Sequence, residues 1–143
     1  MHPPILLLIS TDLHARPLLE QALDRRHATI LPAATTEEGL RILKHQADLT
    51  LVLCDESQGR IASQVILSQA RRIAQNLPVI ILGTDGSAKA AVEALHHGAT
   101  DYLAQPVTAK DLQAAIDKTH VFEAPGPRAT AKRLSAFDPI VSR

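Results

Sequence analysis

Three short stretches of this 143-residue chain are apolar without alternation: Ile5 to Ile9, Leu49 to Cys54 broken only by Thr50, and Val79 to Leu82. A strand with one wet face alternates apolar and polar residues. A continuous apolar run of this length suits a strand covered on both faces, as in a parallel sheet. Two weaker candidates, Ala28 to Leu31 and Tyr102 to Ala104, complete a five-stranded set and belong nearer the edges.

The cover has to come from the segments between the runs, and these carry helical spacing. After Asp12 come Leu18, Leu19, Ala22 and Leu23, with Pro17 tolerated if it falls in the first turn. Thr35 followed three residues later by Glu38 is a capping-box pattern, opening a helix with Leu40 and Leu43 on one side. Ile61, Val65, Ile66 and Ile73 mark a third helix that Pro78 ends. Ser87 can cap a fourth, carrying Ala91, Val92 and Leu95 and stopping at Gly98, which is free to adopt a left-handed cap. Thr108 with Asp111 starts a fifth, bearing Leu112, Ala115 and Ile116. Strand then helix, five times over, predicts an α/β protein with a parallel sheet between two helical layers, because each right-handed crossover packs its helix back on the sheet.

Composition excludes several classes of function. Hydrophobic residues at 45% and charged residues at 21% are those of an ordinary globular domain. Fifteen basic residues balance fifteen acidic ones, so there is no global electrostatic case for binding nucleic acid or an anionic membrane. No apolar run approaches the roughly 20 residues that span a bilayer, and the start lacks a basic leader, so the expected location is cytoplasmic. Cys54 is the only cysteine, which rules out an internal disulfide or a multi-cysteine metal cluster. With Tyr102, Phe122 and Phe137 as the only aromatics, base-stacking platforms are not expected either.

In a parallel α/β sheet the ligand site lies beyond the carboxyl ends of the strands. That rule selects Ser10, Thr11 and Asp12 after the first strand, Asp55 after the third, Gly83, Thr84 and Asp85 after the fourth, and Gln105 after the fifth. Asp55 is the strongest candidate for a reactive group. It directly follows a buried strand, and a carboxylate held there can attack a phosphoryl group to form an aspartyl phosphate. Taken alone, an aspartate after a strand also serves as a turn residue.

From Val79 to Val107 the chain reads VIILGTDGSAKAAVEALHHGATDYLAQPV. This closely resembles the second half of bacterial response-regulator receiver domains, most specifically in Gly98-Ala99-x-Asp101-Tyr102-Leu103-x-x-Pro106. Thr50 to Asp55 resembles the strand that delivers the phosphoacceptor, and Ile9 to Arg16 resembles the first strand and the start of its helix. The resemblance covers residues 4 to about 119 and implies a CheY-like (flavodoxin-like) sheet in the order 2-1-3-4-5 with five helices. It implies a sensor histidine kinase as partner and a homodimer face made by helix 4, strand 5 and helix 5. That face takes in Lys89, Glu93, His96, His97, Asp101, Lys110 and Asp117. Regulation by protein contact is expected, not enzymatic turnover.

Against that pattern the working parts are depleted. Two acidic residues that hold magnesium in the family align with Ser10 and Thr11, with Asp12 one step further along. Hydroxyls supply no charge to offset dehydration of so hard a cation, so a weak site at Asp12 and Asp55, or none, is expected. A softer version adds Asp85 to make a displaced cation site. The family's phosphate-sensing hydroxyl aligns with Gly83, beside Thr84, and its lysine with Gln105. Phosphoryl transfer depends on positioning and charge stabilisation, and losing one donor costs about 100- to 1000-fold in rate. Asp55 alone is retained, and the expectation is a divergent receiver that takes up phosphate poorly or not at all.

Tyr102 resembles the family's aromatic switch, and static packing with a wet hydroxyl accounts for it equally well. His96 and His97 are adjacent, so on a helix they point about 100° apart and do not share a metal. Cys54 reads as buried filler. Gly83 to Lys89 lacks the spacing of a phosphate-binding loop, and no G-x-G-x-x-G follows the first strand. A flavodoxin-like small-molecule-binding module or enzyme using the same cleft is the alternative reading.

Beyond His120 the texture changes. Ala124-Pro125-Gly126-Pro127 cannot continue a helix, so residues 120–136 read as a linker. Ser135 to Arg143 resembles the opening of the ATPase domain of NtrC-type, sigma-54-dependent activators, with 137–143 as its first residues. That resemblance implies output ATPase and DNA-binding domains as attached partners.

Overall fold

A computed structural model describes residues 3–123. The expected linker beyond Glu123 and the ATPase-like residues 137–143 lie outside these described residues. Five strands alternate with five helices: β1 (Ile5–Ile9), α1 (Ala15–Leu23), β2 (Thr29–Ala33), α2 (Thr36–His45), β3 (Leu49–Asp55), α3 (Arg60–Ile73), β4 (Val79–Gly83), α4 (Ala88–His96), β5 (Asp101–Ala104) and α5 (Ala109–Thr119). The strands form one sheet in the order β2-β1-β3-β4-β5, every pair parallel.

Period-two alternation divides the sheet's side chains into two cores. Leu6, Leu8, Leu51, Leu53, Ile80 and Leu82 pack with α1 and α5, against Leu19, Leu112 and Ile116. Leu7, Ile9, Val52, Cys54, Val79 and Ile81 face the other way, against Leu43 of α2 and Ile66, Leu67 and Ala70 of α3. The apolar runs are thus continuous because both parities are buried. Thr50, the one break in the third run, sits where the β1–β3 register shifts, and its hydroxyl donates to the Ile5 carbonyl at 3.1 Å. A bulge accommodates an extra residue whose side chain satisfies a backbone acceptor that the ladder leaves free.

The helix ends form as their caps dictate. The Thr35 hydroxyl accepts from the Glu38 amide at 3.0 Å and the Glu38 carboxylate accepts from the Ala34 amide at 2.8 Å, a complete capping box. Ser87 and Thr108 cap α4 and α5 through the hydroxyl alone, accepting from the Ala90 and Asp111 amides. Gly98, at φ +103°, takes the left-handed turn that lets the chain leave α4 for β5.

One edge strand and two helix faces differ from the sequence expectation. Strand β2 runs two residues further, to Ala33, because an edge strand tolerates Pro32, whose missing amide costs no ladder bond. Of the apolar residues expected to mark α3, Ile66 is buried but Ile61 is 78% exposed and Val65 and Ile73 also face solvent; Ser63, Leu67 and Ala70 complete the buried face. On α4 only Ala90 is buried, with Val92 and Leu95 largely in solvent. There a small residue lies against the sheet and the larger apolar ones are left outside, whereas α3 buries Ile66 and Leu67 beside its small residues. No helix among the described residues is long and apolar enough to cross a membrane.

Candidate functional site

Asp55 is the last residue of β3 and is 6% exposed, so its carboxylate stands at the mouth of the sheet, as expected. Burial of a carboxylate requires partners. Oδ1 accepts from the Ser57 hydroxyl at 2.5 Å and the Ser57 amide at 3.1 Å, and Oδ2 accepts from the Ser10 hydroxyl. Three neutral donors satisfy it. Ser10 itself follows β1, and its oxygen also accepts from the Asp12 amide at 2.9 Å.

The other strand-end residues are committed elsewhere. Asp12 is exposed, and its Oδ1 accepts from the His14 amide at 2.9 Å, so it caps the approach to α1. Thr11 is exposed and donates its amide to the Ser57 hydroxyl at 3.2 Å. Asp85 pairs with Arg60 at 3.1 Å and accepts from the Ser87 amide at 2.8 Å. The Ser87 donors and then Arg60 hold its carboxyl below the usual carboxylate range. Gln105 turns its amide to the Leu82 carbonyl at 3.2 Å. Among the described residues, no group of three or more His, Cys, Asp or Glu is arranged to hold a metal ion, so Asp12, Asp55 and Asp85 are not brought together as one.

Asp12, Asp55, Leu82, Gln105 and Val107 line one side or another of a cleft of about 420 Å³ between the start of α1 and the β5–α5 turn. No lysine or arginine of the described residues lines it. An incoming phosphoryl group would meet two carboxylates and the His14 imidazole.

Glu56, which sequence reasoning passed over, is 8% exposed. By alternation it falls on the Cys54 side of the sheet, opposite Asp55, and there its Oε1 accepts from the Thr84 amide at 3.1 Å. Oε2 accepts from the Ser63 hydroxyl of α3 at 3.4 Å. The signal was present: an acidic residue one step beyond a buried strand, followed by a helix whose first turn carries serine. Thr84 is exposed, with its backbone amide taken by Glu56.

Tyr102 lies in β5 and packs partly against the α2–α3 core. Its hydroxyl donates to the Asp85 carbonyl at 2.8 Å and accepts from the Asp85 amide at 3.3 Å. Burial, then the Glu56 and Asp85 charges, push the phenol above its ordinary pKa. The ring covers Gly83, the last residue of β4. Of the expected dimer-face residues, Glu93 turns to α3, accepting from Gln64 at 3.2 Å, and Asp117 pairs with Arg26 at 2.6 Å across the α1–α5 side.

Comparison with known proteins places this arrangement. The response regulator receiver domain family matches residues 6–117. The transcriptional regulatory protein ZraR of Escherichia coli O157:H7 is 32% identical over 126 residues, covering 78% of this chain and 29% of that protein. AfsQ1 of Streptomyces coelicolor, also a transcriptional regulatory protein, is 34% identical over 113 residues, covering 79% of this chain and 49% of its own length. The chain therefore spans less than half the length of either relative. A receiver domain protein of Clostridium thermocellum superposes with a TM-score of 0.70 at 26% identity, over 92% of this chain and 98% of that one. A CheY-like receiver domain protein of Methanospirillum hungatei gives 0.72 at 23% identity, over 85% and 96%, a likeness of fold. With its sheet order, its aspartate at the end of β3 and its matched span, the chain belongs to the response regulator receiver domain family of two-component signalling.

Proposed function

We propose that this receiver regulates by protein contact and does not run an ordinary phosphorylation cycle at Asp55. The single observation that carries the reading is the setting of that carboxylate. Both oxygens are occupied by Ser10 and Ser57, in a cleft that no described lysine or arginine lines. The other donors at the mouth are also committed, the Thr84 amide to Glu56 and the Gln105 amide to Leu82. Transferred phosphate needs donors that are aimed at its developing charge and free to meet it.

Magnesium, which the family implies, does not fit this donor set. One buried carboxylate is already hydrogen-bonded, Asp12 is turned to its own backbone, and Ser10 and Thr11 offer only neutral oxygens. A hard divalent cation needs charged oxygens to offset its dehydration. No step is assigned to it.

The relatives' names as transcriptional regulators support a role in which this domain gates an attached output unit; that the unit is an ATPase with a DNA-binding domain rests on the resemblance of residues 135–143 alone. A sensor kinase remains its class of upstream partner, and α4, β5 and α5 its self-association face. Incubation with acetyl phosphate and magnesium, followed by intact-mass measurement, tests the reading. Unmodified protein is expected. Stoichiometric addition of one phosphoryl mass, abolished by Asp55→Asn, would contradict it.

A further inference from the structure

The buried glycine at the end of β4 and the chain's single tyrosine fit one another. A Cβ built at Gly83 would stand 1.9 Å from the Tyr102 hydroxyl oxygen, 2.0 Å from Cζ and 2.4 Å from Cε2. Gly83 is not a residue with a left-handed backbone, so turn geometry does not demand glycine there. Space does. At such separations no small adjustment suffices, and any larger residue at 83 excludes the ring from its slot.

What the ring holds in that slot is the β4–α4 loop. Its hydroxyl binds both the amide and the carbonyl of Asp85. From a second side the Glu56 carboxylate holds the Thr84 amide, and from a third Arg60 reaches the Asp85 carboxylate. The loop then passes directly to Ser87, whose hydroxyl caps α4 by accepting from the Ala90 amide at 3.2 Å.

We infer that Tyr102 is a fixed wedge: the absence of a side chain at Gly83 locks the ring inward, and the locked ring sets the β4–α4 loop and the start of α4 in one arrangement. No side-chain atom at position 83 links the Asp55 cleft to this lock, so the α4–β5 surface is displayed in the same form whatever the state of Asp55. The lock stands on its own contacts and does not depend on whether Asp55 takes phosphate.

With one tyrosine and no tryptophan in the chain, tyrosine emission and phenol absorbance report this residue alone. In the unaltered protein the emission resists acrylamide quenching, and the phenol titrates above the ordinary tyrosine range, with burial first and then Glu56 and Asp85 raising it against the Asp85 backbone hydrogen bond and Arg60. Gly83→Ala expels the ring: quenching rises severalfold and the phenol titrates close to its ordinary value. Its denaturation midpoint falls in the Tyr102 background and is restored in a Tyr102→Ala background, where the slot is empty. If Gly83→Ala alone does not fold, the double variant does. Quenching and titration unchanged by Gly83→Ala would overturn the inference, as would an equal loss of stability in both backgrounds or a double variant that also fails to fold. Mass measurement after acetyl phosphate separates this from the proposed function. Phosphate on Asp55 with Tyr102 quenching unchanged defeats only that proposal, and phosphate with increased quenching defeats the lock as well.

Discussion

At Cys54 and Glu56 the end of β3 shows how a strand residue and the residue just past the strand, on the same side of the sheet, acquire different duties. Burial first, then the Asp55 and Glu56 charges, push the Cys54 thiol up to about 12 from an ordinary 9.0. Between those values the unfolded chain gives up a proton that the folded chain keeps, so stability falls as pH rises through that window. Below the lower value the thiol contributes no pH dependence. Denaturant titrations across the alkaline range should show this decline, with Cys54→Ala removing part of it and Tyr102 supplying a further part. Glu56 ties two elements together. Glu56→Ala leaves the Thr84 amide and the Ser63 hydroxyl without that partner and should cost about 1–3 kcal/mol, whereas Glu56→Gln, which keeps an acceptor for the amide, should recover part of the loss in the same unfolding measurement. Burial of Cys54 was legible in its apolar run, and Glu56 left a local signal, but the pairing of Glu56 with Thr84 was not legible. Asp55 could be picked out because it follows an apolar run, and its partner Ser57 is local, but Ser10 comes from the loop after β1 and only the folded register brings it to the carboxylate.

The elements were legible where pattern and chemistry agree and less so where packing overrides pattern. Thr35 and Glu38 announce α2 because the capping box is purely local, and Thr35→Ala should cost about 1 kcal/mol in thermal or chemical unfolding. Helix α3 was legible as a helix but not in its orientation. Its large apolar residues invite a reading in which Ile61 and Val65 face the sheet, yet Ser63 is buried because its hydroxyl reaches the Arg60 carbonyl at 2.8 Å and Glu56. Ile66→Ala should therefore cost about 2–5 kcal/mol, while Ile61→Ser should stay within about 0.5 kcal/mol of the unaltered protein. Equal losses at the two positions would mean that α3 is turned the other way. Exposed Val92 and Leu95 carry the same lesson on α4: apolar spacing identifies a helix, and the depth of the adjacent sheet decides which residues it buries.

For the molecule as a whole, the order β2-β1-β3-β4-β5 follows from uninterrupted apolar strands, right-handed crossovers and the receiver-like string around Asp101-Tyr102. The substitutions at Ser10, Thr11, Gly83 and Gln105 were equally plain in one dimension. What they do together was not, because it depends on which side of the sheet each strand end faces: Asp55 toward α1 and α5, Glu56 and Tyr102 toward α3 and α4. The account comes down to a carboxylate that is satisfied internally and has no described lysine or arginine lining its cleft. Backbone amide shifts of the isotopically labelled protein, recorded as magnesium and then beryllofluoride are added, test that most directly. The account predicts that the amides of residues 55–57, 83–85 and 101–105 stay where they were. Saturable shifts spreading from Asp55 through Thr84 to Tyr102 would contradict it and restore an ordinary phosphorylation switch.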